Sequence, residues 1–234
     1  MIESEARQLI AQASWILHAK GVVDAFGHVS CRHPRRPDRF LMSRSKAPGL
    51  VRIDDVCEHD LDGNPMLEPG TGVFLERFIH AEIYRARADV RAIVHSHAAA
   101  VVPFTVVDTP VRPIAHTCGF LRSVGRPFDV ADHAGDGTDL LVRNADLGRV
   151  LAAHLGDGSV VLMRGHGFTT VGATVAEATF RAVYTAINCQ LLAIALQFGS
   201  PRLLSDAEAE ACERATVSQA HRAWDLWVSE HSRI

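Results

Sequence analysis

Residues 75–101, LERFIHAEIYRARADVRAIVHSHAAAV, decide the fold, because they predict a helix that leads into a buried strand with two histidines at its end. Apolar side chains recur at helical spacing over residues 74–88, which predicts the helix. Residues 92–97, AIVHSH, have the composition of a buried strand. Side chains two residues apart on a strand share one face, so His95 and His97 are predicted to point the same way. Two imidazoles at that spacing can bind one metal ion.

The predicted helix and a second histidine-bearing strand supply further metal donors. Glu76 and His80 lie four residues apart, so they are neighbours on the helix, and a helix that folds back on the strand presents Glu76 to the metal. Residues 159–168, SVVLMRGHGF, predict another buried strand, and flanking glycines allow the turn that aims His166 inward. The candidate metal ligands are His95, His97, His166 and Glu76, which suit a divalent ion. The simpler alternatives are a strand that ends in a polar loop and a turn histidine at His166.

Four motifs in register resemble the class II aldolase/adducin family: Gly27-His-Val-Ser30, Glu76-x-x-x-His80, Ile93-Val-His-Ser-His97 and Gly165-His-Gly167. The resemblance runs from roughly residue 5 to residue 200. It implies an α/β fold with a single α/β/α domain over residues 1–234 and a mostly antiparallel central sheet. It also implies a homotetramer with active sites at subunit interfaces. The family's shared step is the cleavage of a carbon–carbon bond with a divalent metal ion as Lewis acid.

The composition predicts an ordinary soluble protein. Hydrophobic residues make up 47% and charged residues 22%, and the net charge of −3 gives no reason to expect nucleic acid or a membrane as partner. The five cysteines are scattered and lack a C-x-x-C pair, which favours reduced thiols and a cytoplasmic protein. The acidic N-terminus does not resemble a signal peptide. The apolar helix predicted over residues 173–199 is expected to be a core helix or a subunit contact.

The other predicted elements follow from periodicity and turn signals. They are a helix over residues 3–20, a hairpin of strands 26–32 and 40–43, two short strands within 51–66, a helix over 140–155, and a final helix over 205–232 with Trp224 and Trp227 facing one way. The segment 128–139 is rich in aspartate but lacks a regular ligand spacing, so it is predicted to be a solvated loop.

The loops that hold a sugar phosphate in the family's aldolases are altered here. Their first loop reads Gly-Asn-x-Ser, whereas this chain has His28, whose imidazole suits acid–base work or a carboxylate contact. The second loop, usually Thr-x-Thr-Gly, is Ser43-Arg-Ser-Lys46, and Phe74 and Leu75 replace two serines of the third. A sugar phosphate is therefore not the expected substrate. The candidate catalytic residues are Glu76 and His28, and the candidate substrate-binding residues are Ser30, Arg44, Ser45 and Lys46. The alternative for Arg44 and Lys46 is a solvated surface pair.

The first-loop form Phe-Gly-His-Val-Ser resembles the decarboxylase branch of the family. That resemblance implies a metal-dependent decarboxylase of an ortho-hydroxy aromatic acid such as 3-hydroxy-2-methylpyridine-4,5-dicarboxylate, a compound of vitamin B6 degradation. It implies Mn²⁺, which suits oxygen-rich chelates, with Zn²⁺ as the alternative. Two other classes stay open. One is an aldolase or epimerase acting on a non-phosphorylated or acidic sugar, and the other is a metal-free binding module like the adducin head.

Overall fold

The centre of the fold is one six-stranded sheet in the order β3-β2-β1-β4-β6-β5, in which every neighbouring pair is antiparallel. A computed structural model of the chain describes residues 1–68 and 70–231. The strands are β1 His28–Arg32, β2 Arg39–Ser43, β3 Val56–Asp60, β4 Ala92–Ser96, β5 Val160–Met163 and β6 Gly167–Gly172. The α-helices are α1 Glu3–Ala19, α2 Arg77–Ala86, α3 Ala131–Ala134, α4 Ala145–Leu155, α5 Val175–Phe198, α6 Asp206–Val217 and α7 Ala220–His231. Four short 3₁₀ helices lie at Pro48–Leu50, Ile53–Asp55, Val102–Thr105 and His116–Ser123.

Helices cover both faces of the sheet, which confirms the predicted α/β/α layers and the antiparallel sheet. On one face α1 and α5 pack against a hydrophobic core that includes Val94 and Phe168, and on the other α2 and α4 pack against a core that includes Ile93 and Val161. Adjacent strand residues thus contribute to opposite cores, as the alternation of side chains along a strand requires. The tryptophans predicted to face one way are both buried in the α1/α5 core.

The strand register brings three polar side chains into one row. His28 on β1 pairs with His95 on β4, and His95 pairs with Thr169 on β6. All three have the same strand parity as Ile93, so they point toward α2 and α4. The row lies where β1 begins and β4 ends, so these three polar side chains are at one rim of the sheet rather than at its centre.

Two glycines permit the close approach of the loops that carry His28 and His166. Gly27 has a φ of +100°, and a Cβ there would lie 3.0 Å from the carbonyl oxygen of His95. A Cβ at Gly167 would collide with the carbonyl oxygen of Ser96. Glycine alone avoids both contacts, so these two residues set the spacing between the histidine-bearing segments.

Several predicted boundaries are wrong. The helix predicted over 74–88 begins at Arg77 and ends at Ala86, with Glu76 in the cap position before its first turn. The helix predicted over 140–155 begins only at Ala145, because the Asn144 side chain accepts a hydrogen bond from the Leu147 amide and caps the helix there. Residues 140–144 instead have no regular secondary structure, and residues 140–142 contribute to the site.

The second half of the chain holds two further corrections. The single helix predicted over 205–232 is two helices, α6 and α7, separated by a turn at residues 218–219, and residues 232–234 lie outside the described part. Only one of the two strands predicted within 51–66 forms. The second is reduced to a single bridge between His59 and Pro65, because proline lacks the amide hydrogen that a ladder needs. Strand β6 was not predicted.

Helix α5 is long and apolar enough, by length and composition, to cross a membrane, but half of its most apolar window is buried inside the protein. It packs against β4, β6 and α1, as expected for a core helix. Its C-terminal part leaves Ile194 and Phe198 exposed.

Candidate metal centre

Three imidazoles converge at the rim of the sheet. The Nε2 atoms of His97 and His166 lie 2.9 Å apart, those of His95 and His97 also 2.9 Å, and those of His95 and His166 3.3 Å. His95 is fully buried at the end of β4, His97 follows one residue after that strand, and His166 lies in the turn between β5 and β6. The prediction that the two strand ends bring these histidines together is confirmed.

The other ring nitrogens have partners that leave Nε2 free for a metal. The Nδ1 of His166 lies 2.9 Å from the carbonyl oxygen of Leu140. Because a carbonyl oxygen only accepts, Nδ1 must carry the hydrogen, and the Nε2 of the uncharged ring then holds a lone pair. The Nδ1 of His95 lies 3.0 Å from the Thr169 hydroxyl, which can accept in the same way. Leu140 has a φ of +65°, a backbone conformation that a leucine rarely adopts.

Glu76 completes the group with one carboxylate oxygen. Its Oε1 accepts a hydrogen bond from the Val142 amide at 3.0 Å, and its Oε2 lies 3.2 Å from His166 Nε2 and 3.5 Å from His95 Nε2. Burial would raise the pKa of Glu76, but the charges and hydrogen bonds of His95 and His166 outweigh burial and hold that pKa well below its ordinary value. The carboxylate is therefore ionised at neutral pH and aimed at the imidazoles.

This donor set fits a divalent ion. Ligand atoms that surround one ion at about 2.0–2.2 Å lie roughly 3 Å from one another, which matches the spacing of the three nitrogens. The four donor atoms all lie within 4.8 Å of one another. Three imidazoles that each offer an Nε2 lone pair, together with one carboxylate, would hold zinc or manganese and leave positions open for a substrate.

A cavity of about 380 Å³ opens beside the centre. Glu76, His97 and His28 contribute to its lining, and the remaining walls are largely apolar. The Phe74 ring packs 4.6 Å from the His28 ring, and the Phe26 ring, 65% exposed, lies 6.3 Å from the His97 ring. Apolar walls with a few convergent polar groups are typical of a small-molecule site.

The predicted substrate-binding residues divide between this cavity and other places. Ser45 and Lys46 line both the cavity and a neighbouring opening, whereas Arg44 lines that opening and not the cavity. Arg44 Nε and Lys46 Nζ each donate to Asp55 at 2.7 Å, so the pair is held on one buried carboxylate and is not a freely solvated pair. Burial of Asp55 would raise its pKa, but the hydrogen bonds from Lys46 and Arg44 lower it to about 2.

Ser30 is fully buried behind the cavity and is not among the residues that line it. Its hydroxyl lies 2.6 Å from His80 Nδ1 and 2.8 Å from the Tyr84 hydroxyl, and His80 Nε2 lies 2.7 Å from His28 Nδ1. The structure therefore uses Ser30 in a buried hydrogen-bonded chain and not in the direct substrate contact that the sequence predicts. Burial lowers the pKa of both His28 and His80, so both imidazoles are uncharged at neutral pH.

Sequence reasoning missed Asp55, Tyr84 and the role of His80. A signal for two of them is present at α2, where Glu76, His80 and Tyr84 follow one another at intervals of four residues and so lie along one side of the helix. Asp55 carries no such signal, because its partners come from a separate strand end.

A second histidine–carboxylate group lies at the far side of the N-terminal hairpin, and we call it the arginine-bound cluster: Glu3, His33 and Glu58. Arg39 donates to Glu58 at 2.8 Å, and Arg36 also binds Glu58. This cluster was not predicted, since its members are spread over 56 residues of sequence.

Comparisons with known proteins match the geometry. Residues 8–193 match the family model described as the Class II Aldolase and Adducin N-terminal domain. The chain belongs to the class II aldolase/adducin family. It is 39% identical over 238 residues to the decarboxylase tropJ of Talaromyces stipitatus, a match that covers 92% of this chain and 90% of that protein. It is 32% identical over 188 residues to the 3,4-dihydroxyphthalate decarboxylase of Arthrobacter keyseri, covering 76% and 73%.

Solved structures show the same fold. An L-fuculose 1-phosphate aldolase from Glaciozyma antarctica superposes with a TM-score of 0.80 at 21% identity, over 98% of this chain and 91% of that one. The predicted family and layered fold are confirmed. Decarboxylases among the relatives fit the predicted class of enzyme, a carbon–carbon lyase.

Proposed function

We propose that this protein is a divalent-metal-dependent decarboxylase of ortho-hydroxy aromatic acids. The observation that carries the proposal is a single cavity lined by Glu76 and His97 of the metal centre, by the rings of Phe26 and Phe74, and by Lys46. A flat aromatic ring fits between phenylalanine walls, its oxygens suit a divalent ion, and a cation suits a carboxylate. The decarboxylases among its relatives support the same class of reaction.

The chemistry asks two tasks of Glu76. A divalent ion held by the three imidazoles would supply a Lewis acid that draws electron density from a chelating substrate. Glu76 starts as a carboxylate, so its Oε2 accepts the proton of the substrate's ring hydroxyl. When the bond from the ring carbon to the departing carboxylate breaks, CO₂ leaves and the electron pair stays on the ring. Glu76 then returns the proton to that carbon and is a carboxylate again.

The substrate class follows from Lys46. We propose that a second, non-departing carboxylate on the ring is bound by Lys46, which lines the cavity and whose ammonium group also donates to Asp55. Both 3-hydroxy-2-methylpyridine-4,5-dicarboxylate and 3,4-dihydroxyphthalate carry a hydroxyl beside one carboxylate and a second carboxylate beside that. The pyridine compound of vitamin B6 degradation and the phthalate are thus the first two substrates to assay, with Mn²⁺ as the proposed metal and Zn²⁺ as the alternative.

The decisive experiment measures CO₂ release from ortho-hydroxy aromatic acids with one or two carboxylates, with chelator and with added Mn²⁺ or Zn²⁺. We expect CO₂ release that a chelator abolishes and that added metal restores. The rate of release should be highest for the acids with two carboxylates. Cleavage of acidic or non-phosphorylated sugars without any CO₂ release would replace the proposal with the aldolase or epimerase alternative. Full activity or ligand binding without metal would favour the metal-free module.

We also propose a cytoplasmic homotetramer with active sites at subunit interfaces. Phe26 and Leu75, beside the cavity, are 65% and 52% exposed, and a neighbouring subunit would cover such apolar side chains. Four of the five cysteines are buried free thiols, which fits a reducing compartment. Light scattering of the purified protein tests the tetramer, and a monomer that is fully active would contradict it.

A further inference from the structure

We propose that Tyr84, Ser30 and His80 are positioning residues that hold His28 as the uncharged imidazole with its hydrogen on Nε2. His28 then serves as a hydrogen-bond donor to an oxygen of the acidic substrate, and not as a general base. The identity of that acceptor rests on the proposed function, whereas the state of the ring does not.

The four side chains form one continuous chain inside the protein. Successive polar atoms lie 2.8 Å apart from Tyr84 to Ser30, 2.6 Å from Ser30 to His80, and 2.7 Å from His80 to His28. Tyr84, Ser30 and His80 are each at most 1% exposed, and His28, at 5%, is the member that lines the cavity. The chain thus has one end in the core and one end at the candidate active site.

Counting hydrogens decides the direction of the chain. The four uncharged groups carry four polar hydrogens, and the chain has three hydrogen bonds, so one hydrogen is left over. If His28 donated inward from Nδ1, the left-over hydrogen would belong to the Tyr84 or the Ser30 hydroxyl, and both are buried with no further acceptor among the described residues. A buried donor without an acceptor is unfavourable, so this direction is the costly one.

In the opposite direction every buried donor has an acceptor. Tyr84 donates to Ser30, Ser30 donates to His80 Nδ1, and His80 Nε2 donates to His28 Nδ1. The left-over hydrogen then sits on His28 Nε2, at the cavity, where a substrate oxygen can accept it. A general base would need a lone pair on that nitrogen. This order of hydrogen bonds therefore makes His28 a donor to the substrate.

The ring packing keeps His28 in this orientation. Its ring stacks on His95 at 4.9 Å between centroids and contacts Phe74 at 4.6 Å, which restricts rotation about its side-chain bonds. A fixed donor beside the metal centre stabilises negative charge on the substrate without reorganising during the reaction.

The test reads the hydrogen on His28 directly, by ¹⁵N NMR of the imidazoles in the Zn²⁺-loaded protein, with His28→Gln used to assign the signal. Wild type should carry the hydrogen on Nε2. Ser30→Ala removes the constraint at His80 Nδ1, so His28 should become a mixture of both ring forms, and kcat should fall about tenfold or more with little change in KM or bound metal. Ser30→Thr keeps the hydroxyl and should restore the single form.

Ser14→Ala is the matched control. It removes a buried serine hydroxyl that donates to the Ile10 carbonyl oxygen in α1 and takes no part in the Tyr84–Ser30–His80–His28 hydrogen bonds. It should leave the His28 signal unchanged. A hydrogen on Nδ1 in wild type, or an unchanged signal in Ser30→Ala, would overturn the inference whatever the substrate is. A signal on Nε2 that responds as expected, with no CO₂ release from any acid in the panel, would overturn the proposed function alone.

Discussion

The metal centre and the arginine-bound cluster contain the same residue types, but their histidines and carboxylates have different partners. In the metal centre the carbonyl oxygen of Leu140 accepts from His166 Nδ1, so a lone pair faces the other ligands. In the arginine-bound cluster the backbone amides of Arg35 and Arg36 donate to His33 Nδ1 at 3.1 and 3.0 Å, so the lone pair of that nitrogen is already in use. The other ring nitrogen, Nε2, lies 3.0 Å from the Arg36 guanidinium and 3.2 Å from Glu3.

The carboxylates differ in the same sense. Glu76 faces imidazoles and one backbone amide, whereas Glu58 binds Arg36 and Arg39. A cation that already neutralises a carboxylate competes with a metal ion for it. The comparison teaches that proximity of histidine and glutamate does not make a metal site. The groups that surround each ring and each carboxylate decide whether their lone pairs are available to a metal ion.

Metal analysis of two matched substitutions should show the largest difference. His95→Ala removes a buried donor from the metal centre and should abolish nearly all bound divalent metal and activity. His33→Ala removes a buried histidine from the arginine-bound cluster and should leave the metal content at the wild-type level. Full metal occupancy and activity in His95→Ala, measured by elemental analysis and CO₂ release, would rule out the assignment of the centre.

Within the metal centre, Glu76→Gln should separate binding from turnover. The three imidazoles remain, and glutamine preserves the shape of the side chain, so metal should be retained. The rate should fall about 100-fold or more, the usual scale for a lost acid–base group. A rate near that of wild type at full metal occupancy would show that Glu76 is only a ligand or a structural residue.

A smaller effect is expected from Lys46→Ala. A charge-assisted contact to a carboxylate contributes roughly 1.5–3 kcal/mol, so kcat/KM for a dicarboxylate should fall about ten- to a hundred-fold. The loss should shrink for an analogue that lacks the non-departing carboxylate, because that contact is already absent. Arg44→Ala is the comparison variant, since Arg44 shares Asp55 but lines the neighbouring opening. Equal losses on both substrates would place Lys46 outside the carboxylate subsite.

The smallest effect concerns Asp55, a carboxylate held by cations as Glu58 is. Its folded-state pKa of about 2 lies below the ordinary value of 3.8, so its ion pairs stabilise the protein above pH 4 and lose that contribution as the pH falls toward 2. Asp55→Asn should lower the free energy of unfolding by about 1–2 kcal/mol at pH 7. Urea denaturation should show this difference narrowing between pH 4 and pH 3. A difference that stays constant with pH would mean that the charge of Asp55 is not the cause.

Local sequence patterns predicted the histidines of the candidate site better than the side chains that surround them. The strand spacing of His95 and His97 and the glycines around His166 are local features, so the sequence predicted that these side chains meet, and it predicted β4 and β5 but not β6. Ser30 matched a substrate-binding motif, but its burial depends on how α2 packs over β1, which no local pattern reports. The pairing of Lys46 with Asp55 is likewise a consequence of folding two separate segments against each other.

The prediction of one continuous C-terminal helix failed for a related reason. Residues 205–232 have no glycine or proline to signal a break, yet α6 stops at Val217 and α7 resumes at Ala220. Helix α6 packs against the 3₁₀ segment His116–Ser123, whereas α7 packs against α1 and α5. The two tryptophans of α7 enter the core only in this second direction. Tertiary packing therefore decides the turn, and helix propensity alone does not.

The segment 140–142 connects the candidate metal centre to the wall of the cavity. Its main chain holds two ligands, since the Leu140 carbonyl oxygen orients His166 and the Val142 amide anchors Glu76. The side chain between them, Leu141, lines the cavity. Because backbone groups are the same in every amino acid, residue 141 is free to vary in size and polarity while both ligands keep their anchors. Substitution at residue 141 can thus reshape the cavity without disturbing either hydrogen bond.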